Sequence, residues 1–98
     1  TGCSHAWIVN IVKHSIELFD EKRICGIIGG FHLLSATDER VQKTVGALSQ
    51  HNPQWVWAGH CTGFEVQVAL FRKFGERFKP LQTGMTFTVK VQAVICYF

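Results

Sequence analysis

The chain has 98 residues, of which 47% are hydrophobic, with eight Phe and three Trp and a formal net charge of +3. This length suits one small domain, residues 1–98, with a modest core, and so apolar a composition excludes a disordered chain. The charge is weak and its cations are interleaved with acids, which argues against a nucleic-acid partner, and no apolar run reaches the roughly 18 residues of a membrane span.

Residues 6–19 place Ile8, Ile11, Val12, Ile16 and Phe19 at helical spacing, with Lys13, His14 and Glu17 on the opposite side. An amphipathic helix is expected there, ending near Asp20, Glu21 and Lys22. Residues 23–29 hold Ile24, Cys25, Ile27 and Ile28, a short apolar run closed by glycine. It suits a strand buried on both faces, as parallel sheets require, with Cys25 as a small buried hydrophobe. Thr37 then precedes Asp38 and Glu39, a capping oxygen and two acids at a helix start, and Val41, Val45 and Leu48 form the apolar stripe. Asn52-Pro53 closes this helix, because the residue before proline is pushed out of helical geometry. Residues 54–58 read as a second strand, and residues 63–74 as a third helix with Val66, Leu70 and Phe74 inward, stopped at Gly75. Finally, Phe87, Val89, Val91, Ala93 and Ile95 alternate with Thr86, Thr88, Lys90 and Gln92, the pattern of a strand with one wet face. Helices alternating with strands predict an α/β layer of mostly parallel strands, the final one at the edge. Functional groups in such sheets gather just beyond the carboxyl ends of the strands.

Each expected strand end carries a histidine close to glycine: Gly2-Cys3-Ser4-His5, Gly29-Gly30-Phe31-His32 and Gly59-His60-Cys61-Thr62-Gly63. Parallel strands bring these ends to one rim, and glycine there permits close backbone approach. One histidine at a strand end is more often a capping or hydrogen-bonding residue. Three at equivalent positions point to a divalent metal held by His5, His32 and His60, with zinc favoured and iron or manganese as alternatives. His14 and His51 read as surface residues. Cys3 and Cys61 stand beside these histidines either as thiolate ligands or as structural thiols, whereas Ser4 and Thr62 read as capping groups or as partners that orient the ligand rings. The four cysteines, Cys3, Cys25, Cys61 and Cys96, include no closely spaced pair, so a reducing, cytoplasmic setting is expected.

Over residues 1–89 these motifs, with Ile8-Val9-Asn10 and Leu33 beside them, resemble the metallo-β-lactamase superfamily, in particular its dihydropterin or β-ribofuranosylaminobenzene-phosphate synthase-like subgroup. The resemblance implies the C-terminal half of an αββα sandwich, with one or two metal ions at the edge between two sheets. By it, His5 matches the third-motif histidine and His60 the terminal one, and His32 stands where many relatives carry a bridging aspartate. The family's leading HxHxDH motif is absent, and Trp7 occupies a position that is usually glycine. The chain therefore reads as a piece of a metal-dependent hydrolase, inactive alone. It would be completed by a homo-oligomer or a complementary N-terminal half, and would act on a phosphate-bearing or pterin-like small molecule. The alternative is a non-enzymatic, truncated or engineered module that self-associates through an exposed apolar sheet face.

Overall fold

Positive-φ residues and one capping hydroxyl mark the limits of the three helices. In the computed structural model, which describes residues 1–89, α1 spans Ile8–Phe19, α2 Asp38–Gln50 and α3 Phe64–Phe74. Helix α1 starts later than its apolar pattern suggests because Trp7 has a φ of 67°, outside helical geometry. It ends at Asp20, whose left-handed backbone lets its N–H donate to the Ile16 carbonyl. Thr37 caps α2 as expected, its hydroxyl accepting from the Arg40 N–H at 3.3 Å. Gly75, at φ 59°, ends α3 and donates to the Phe71 carbonyl. A short 3-10 turn at Gly75–Arg77 follows, and the Arg77 guanidinium donates at 3.0 Å to both Asn52 Oδ1 and the Pro53 carbonyl.

Strands β1 (Gly26–Gly30), β2 (Trp55–Gly59) and β3 (Phe78–Pro80) form a parallel sheet in the order β1-β2-β3. β1 and β2 are in register from Gly26 against Trp55 to Gly30 against Gly59, and Val56 faces Phe78 across the second pair. The α/β class, the alternation of elements and the edge position of the last strand all stand. The position of that strand differs, since β3 has three residues and ends in proline, which a sheet tolerates at an edge. Of the alternating stretch 87–95, Phe87–Val89 runs outside the sheet and the remainder lies outside the described residues, as does Cys96.

The helices bury one face of this sheet. Val56, Ala58 and Ile27 pack with Val45, Leu48, Val66 and Leu70 in a single cluster that also takes in Ile8, Val12 and Phe31. The expectation of strands buried on both faces is corrected: Ile28, Trp55 and Trp57 are only half-buried. On their side, Trp57 meets Trp55 at 5.0 Å and the edge of Phe87 at 4.6 Å between ring centroids. Cys25 is likewise exposed rather than buried, because it precedes the strand, and its thiol points to Gln54 Oε1 at 3.8 Å. Among the described residues no helix is long and apolar enough to cross a membrane.

Candidate metal centre

The register of β1 and β2 ends the two strands side by side at Gly30 and Gly59. The next residues, Phe31-His32 on one strand and His60-Cys61 on the other, must therefore leave the sheet at the same rim. Residues 1–5 join them there. The Gly30 N–H donates to the Gly2 carbonyl at 2.8 Å, and the Thr1 nitrogen donates to the Ile28 carbonyl at 3.0 Å. Glycine is required at this seam: a Cβ on Gly30 would lie 2.8 Å from the Gly2 oxygen and 2.9 Å from Cys61 Sγ.

Two buried hydroxyls pin the loops. Ser4 Oγ donates to the Gly30 carbonyl and lies 3.0 Å from Thr1 Oγ1. Thr62 Oγ1 donates to the Gly59 carbonyl at 2.6 Å and accepts the Phe31 N–H at 3.1 Å. The N–H groups of Leu33 and Leu34 both reach the Cys61 carbonyl, at 3.1 Å each, so the turn after β2 clamps the loop after β1. Both hydroxyls are thus engaged by backbone. They hold the segments that carry the histidines.

The same segments carry non-glycine residues with positive φ. Ser4, Trp7, His32 and His60 have φ values of 56°, 67°, 53° and 54°. Left-handed geometry costs a non-glycine residue about 1–3 kcal/mol, and such strain gathers at functional sites.

The side chains converge on sulfur. Cys3 Sγ lies 3.0 Å from Cys61 Sγ and 3.6 Å from His32 Nδ1, and the His5 and His32 rings are 4.6 Å apart between centroids. Two sets of donors result, Cys3 with His5 and His32, and Cys3 with His60 and Cys61, each with all donor atoms within 4.8 Å of one another. All three predicted histidines therefore reach the rim, but they divide between two groups that share Cys3. That sharing is the feature that sequence reasoning missed. Its signal was the placement of a cysteine two residues before His5 and another directly after His60. The histidines are exposed and the two thiols half-buried, so the rim opens to solvent. The hydrogen bond to Cys61, followed by desolvation, holds the Cys3 thiol above its ordinary pKa. Trp7 stands at the edge, its ring 6.0 Å from that of His32 and its face 3.4 Å from the Arg40 guanidinium carbon. Imidazole and thiol donors in threes fit a divalent metal ion, and no carboxylate belongs to either group among the described residues.

No family model matches the chain. A 7,8-dihydropterin-6-methyl-4-(β-D-ribofuranosyl)-aminobenzene-5'-phosphate synthase of Methanocaldococcus jannaschii is 39% identical over 84 residues, 86% of this chain and 29% of the relative. The uncharacterized protein MJ0448 of the same organism is 36% identical over 70 residues, 71% of this chain and 26% of the relative. The crystal structure of Tm1679, a metal-dependent hydrolase of the β-lactamase superfamily, superposes with a TM-score of 0.81 at 38% identity, covering 91% of this chain and 34% of that one. The chain spans about a third or less of the length of each of these proteins. An open parallel sheet with a Cys/His rim is here part of a metal-dependent hydrolase-like fold. The chain is homologous to the metallo-β-lactamase superfamily and to the dihydropterin-synthase-like proteins, its partial matches being consistent with a C-terminal portion.

Proposed function

We propose that the chain supplies metal-holding residues of a metallo-β-lactamase-type hydrolase, with His5 and His32 as ligands at one position, His60 as a ligand at the other, Cys3 as the donor they share and zinc as the metal. The observation that carries this reading is the pair of three-donor groups meeting at Cys3 Sγ. Three nitrogen or sulfur donors with a further position free suit a catalytic zinc, and mixed imidazole and thiolate favour zinc over magnesium or calcium. Iron and manganese compete through the imidazoles. When bound, such an ion polarises a scissile oxygen and lowers the pKa of a bound water towards neutrality.

The chain's own residues orient and shield. Ser4 and Thr62 act on the ligands through the backbone they hold, and Trp7, covered by Arg40, supplies one wall beside His32. The synthase named among the relatives suggests a phosphate-bearing or pterin-like substrate for this chain as well. The chain covers about a third or less of its relatives, and in this reading the 98 residues form one domain that works with a complementary N-terminal half or in a homo-oligomer, in a reducing cytoplasm. A second reading, a non-enzymatic module that self-associates, is favoured by the half-open Trp55–Trp57 face and by the exposed Phe64 and Phe71. Sedimentation velocity tests it, with a stable monomer at micromolar concentration counting against it.

Equilibrium dialysis tests the metal reading. The folded chain should take up zinc near stoichiometry, and His60→Ala and Cys3→Ser should each weaken uptake at least about tenfold, the lower bound for disturbing a metal site. A folded chain that takes up no zinc, iron or manganese overturns the proposal.

A further inference from the structure

The rim contains a second chemistry that metal binding does not require. Cys3 and Cys61 come from segments 58 positions apart, yet their sulfurs lie 3.0 Å from each other. Their backbones are fixed independently of the sulfurs: Ser4 ties the first segment to Gly30, and Thr62 ties the second to Gly59 and Phe31. Cys61 Sγ is further held between the His32 N–H, which donates to it at 3.2 Å, and the Cys3 carbonyl, which accepts from it at 3.4 Å. The two thiols are thus presented to each other by a pre-set frame. Both are half-buried, so a small oxidant can reach them. Cys25, at the opposite end of β1, engages Gln54 instead.

We propose that Cys3 and Cys61 form a redox-active dithiol that closes into an intramolecular disulfide and thereby removes the shared donor from both metal groups. The oxidant is a peroxide. One thiolate sulfur attacks a peroxide oxygen, the O–O bond breaks, and the sulfur becomes a sulfenic acid as the first water leaves. The second thiol then attacks that sulfur, the S–O bond breaks, and a second water departs. Two thiols and one hydrogen peroxide give one disulfide and two waters, with two electrons passing from sulfur to peroxide. A disulfide needs sulfurs about 2.05 Å apart, so the closure asks for a short approach of two side chains and no rearrangement of the sheet. Its consequence rests on the metal reading. With Cys3 and Cys61 joined, one group keeps only His5 and His32 and the other only His60.

The experiment treats the reduced, metal-free full chain with one equivalent of hydrogen peroxide. Peptide mapping then locates the disulfide, and zinc uptake is measured before oxidation, after it, and after re-reduction. Expected are a Cys3–Cys61 cross-linked peptide, retained in the Cys25→Ser/Cys96→Ser variant and lost in Cys61→Ser, and a zinc affinity lowered at least about tenfold in the oxidised chain and restored by reductant. A map in which Cys3 and Cys61 remain thiols, pair with other cysteines or stop at sulfinic acid overturns the proposal. A Cys3–Cys61 disulfide with undiminished zinc uptake overturns the switch. Failure of the reduced chain to bind zinc would instead sink the metal reading, and the cross-link then decides the dithiol alone.

Discussion

The helical layer and the strand-end rim of this molecule are built on opposite terms. Under the sheet, Leu48, Leu70, Val56 and Ala58 are fully buried and sit in regular elements. At the rim, Ser4, Trp7, His32 and His60 occupy left-handed backbone, the histidines are exposed, and polar groups are tied to one another across three segments. The first region lowers the free energy of the chain. The second spends some of that stability to hold donor atoms where relaxed loops would not leave them. Substitutions should therefore separate stability from binding.

Phe31 joins the two regions, since it is wholly buried and directly precedes His32. Phe31→Ala should cost about 3–5 kcal/mol in urea unfolding, as truncations of large core aromatics do, and abolish metal uptake by losing the fold. Thr62→Val keeps the shape but leaves the Phe31 N–H and the Gly59 carbonyl without their side-chain partner. It should cost about 1–3 kcal/mol and weaken metal binding, because the turn carrying His60 and Cys61 loses its pin. His60→Gly inverts the pattern. It relieves a left-handed histidine, so stability should rise by about 1 kcal/mol after the glycine entropy cost, while metal affinity falls. Equal losses of both quantities would erase the distinction between the regions.

The smallest effect lies far from the rim. Glu21 accepts from the Arg23 N–H and guanidinium at 2.9–3.0 Å, and these hydrogen bonds hold its carboxyl below the ordinary value. A depressed folded pKa means that the stabilisation is whole above the ordinary glutamate value, about pH 4.3, and is lost as the pH falls through the lower folded value. Glu21→Gln should flatten that acid-side slope slightly in urea midpoints measured against pH, as suits an exposed pair.

The regular region was legible in the sequence because its signals are local. Apolar spacing located α1, α2 and α3, Thr37 and Gly75 marked two of their ends, a glycine-closed apolar run located β1, and the short apolar stretch after Pro53 located β2. β3 escaped because three residues ending in proline carry no period, and the exposure of Cys25 escaped because one residue decides whether a thiol stands before a strand or within it. At the rim, histidine close to glycine was visible after β1 and β2 and at residues 2–5, although residues 1–5 form no strand of their own. The central place of Cys3 was not, since it depends on a contact across 58 positions and on loops whose geometry is set by Ser4 and Thr62. The stacking of Trp7 under Arg40 arises in the same way, from a helix packed against a strained loop.

X-ray absorption at the zinc edge of the loaded, reduced chain tests most directly whether sulfur belongs to the metal centre. The account predicts a sulfur shell at about 2.3 Å beside nitrogen at about 2.0–2.1 Å, with the sulfur contribution reduced in Cys3→Ser. A spectrum fitted by nitrogen and oxygen alone would contradict it.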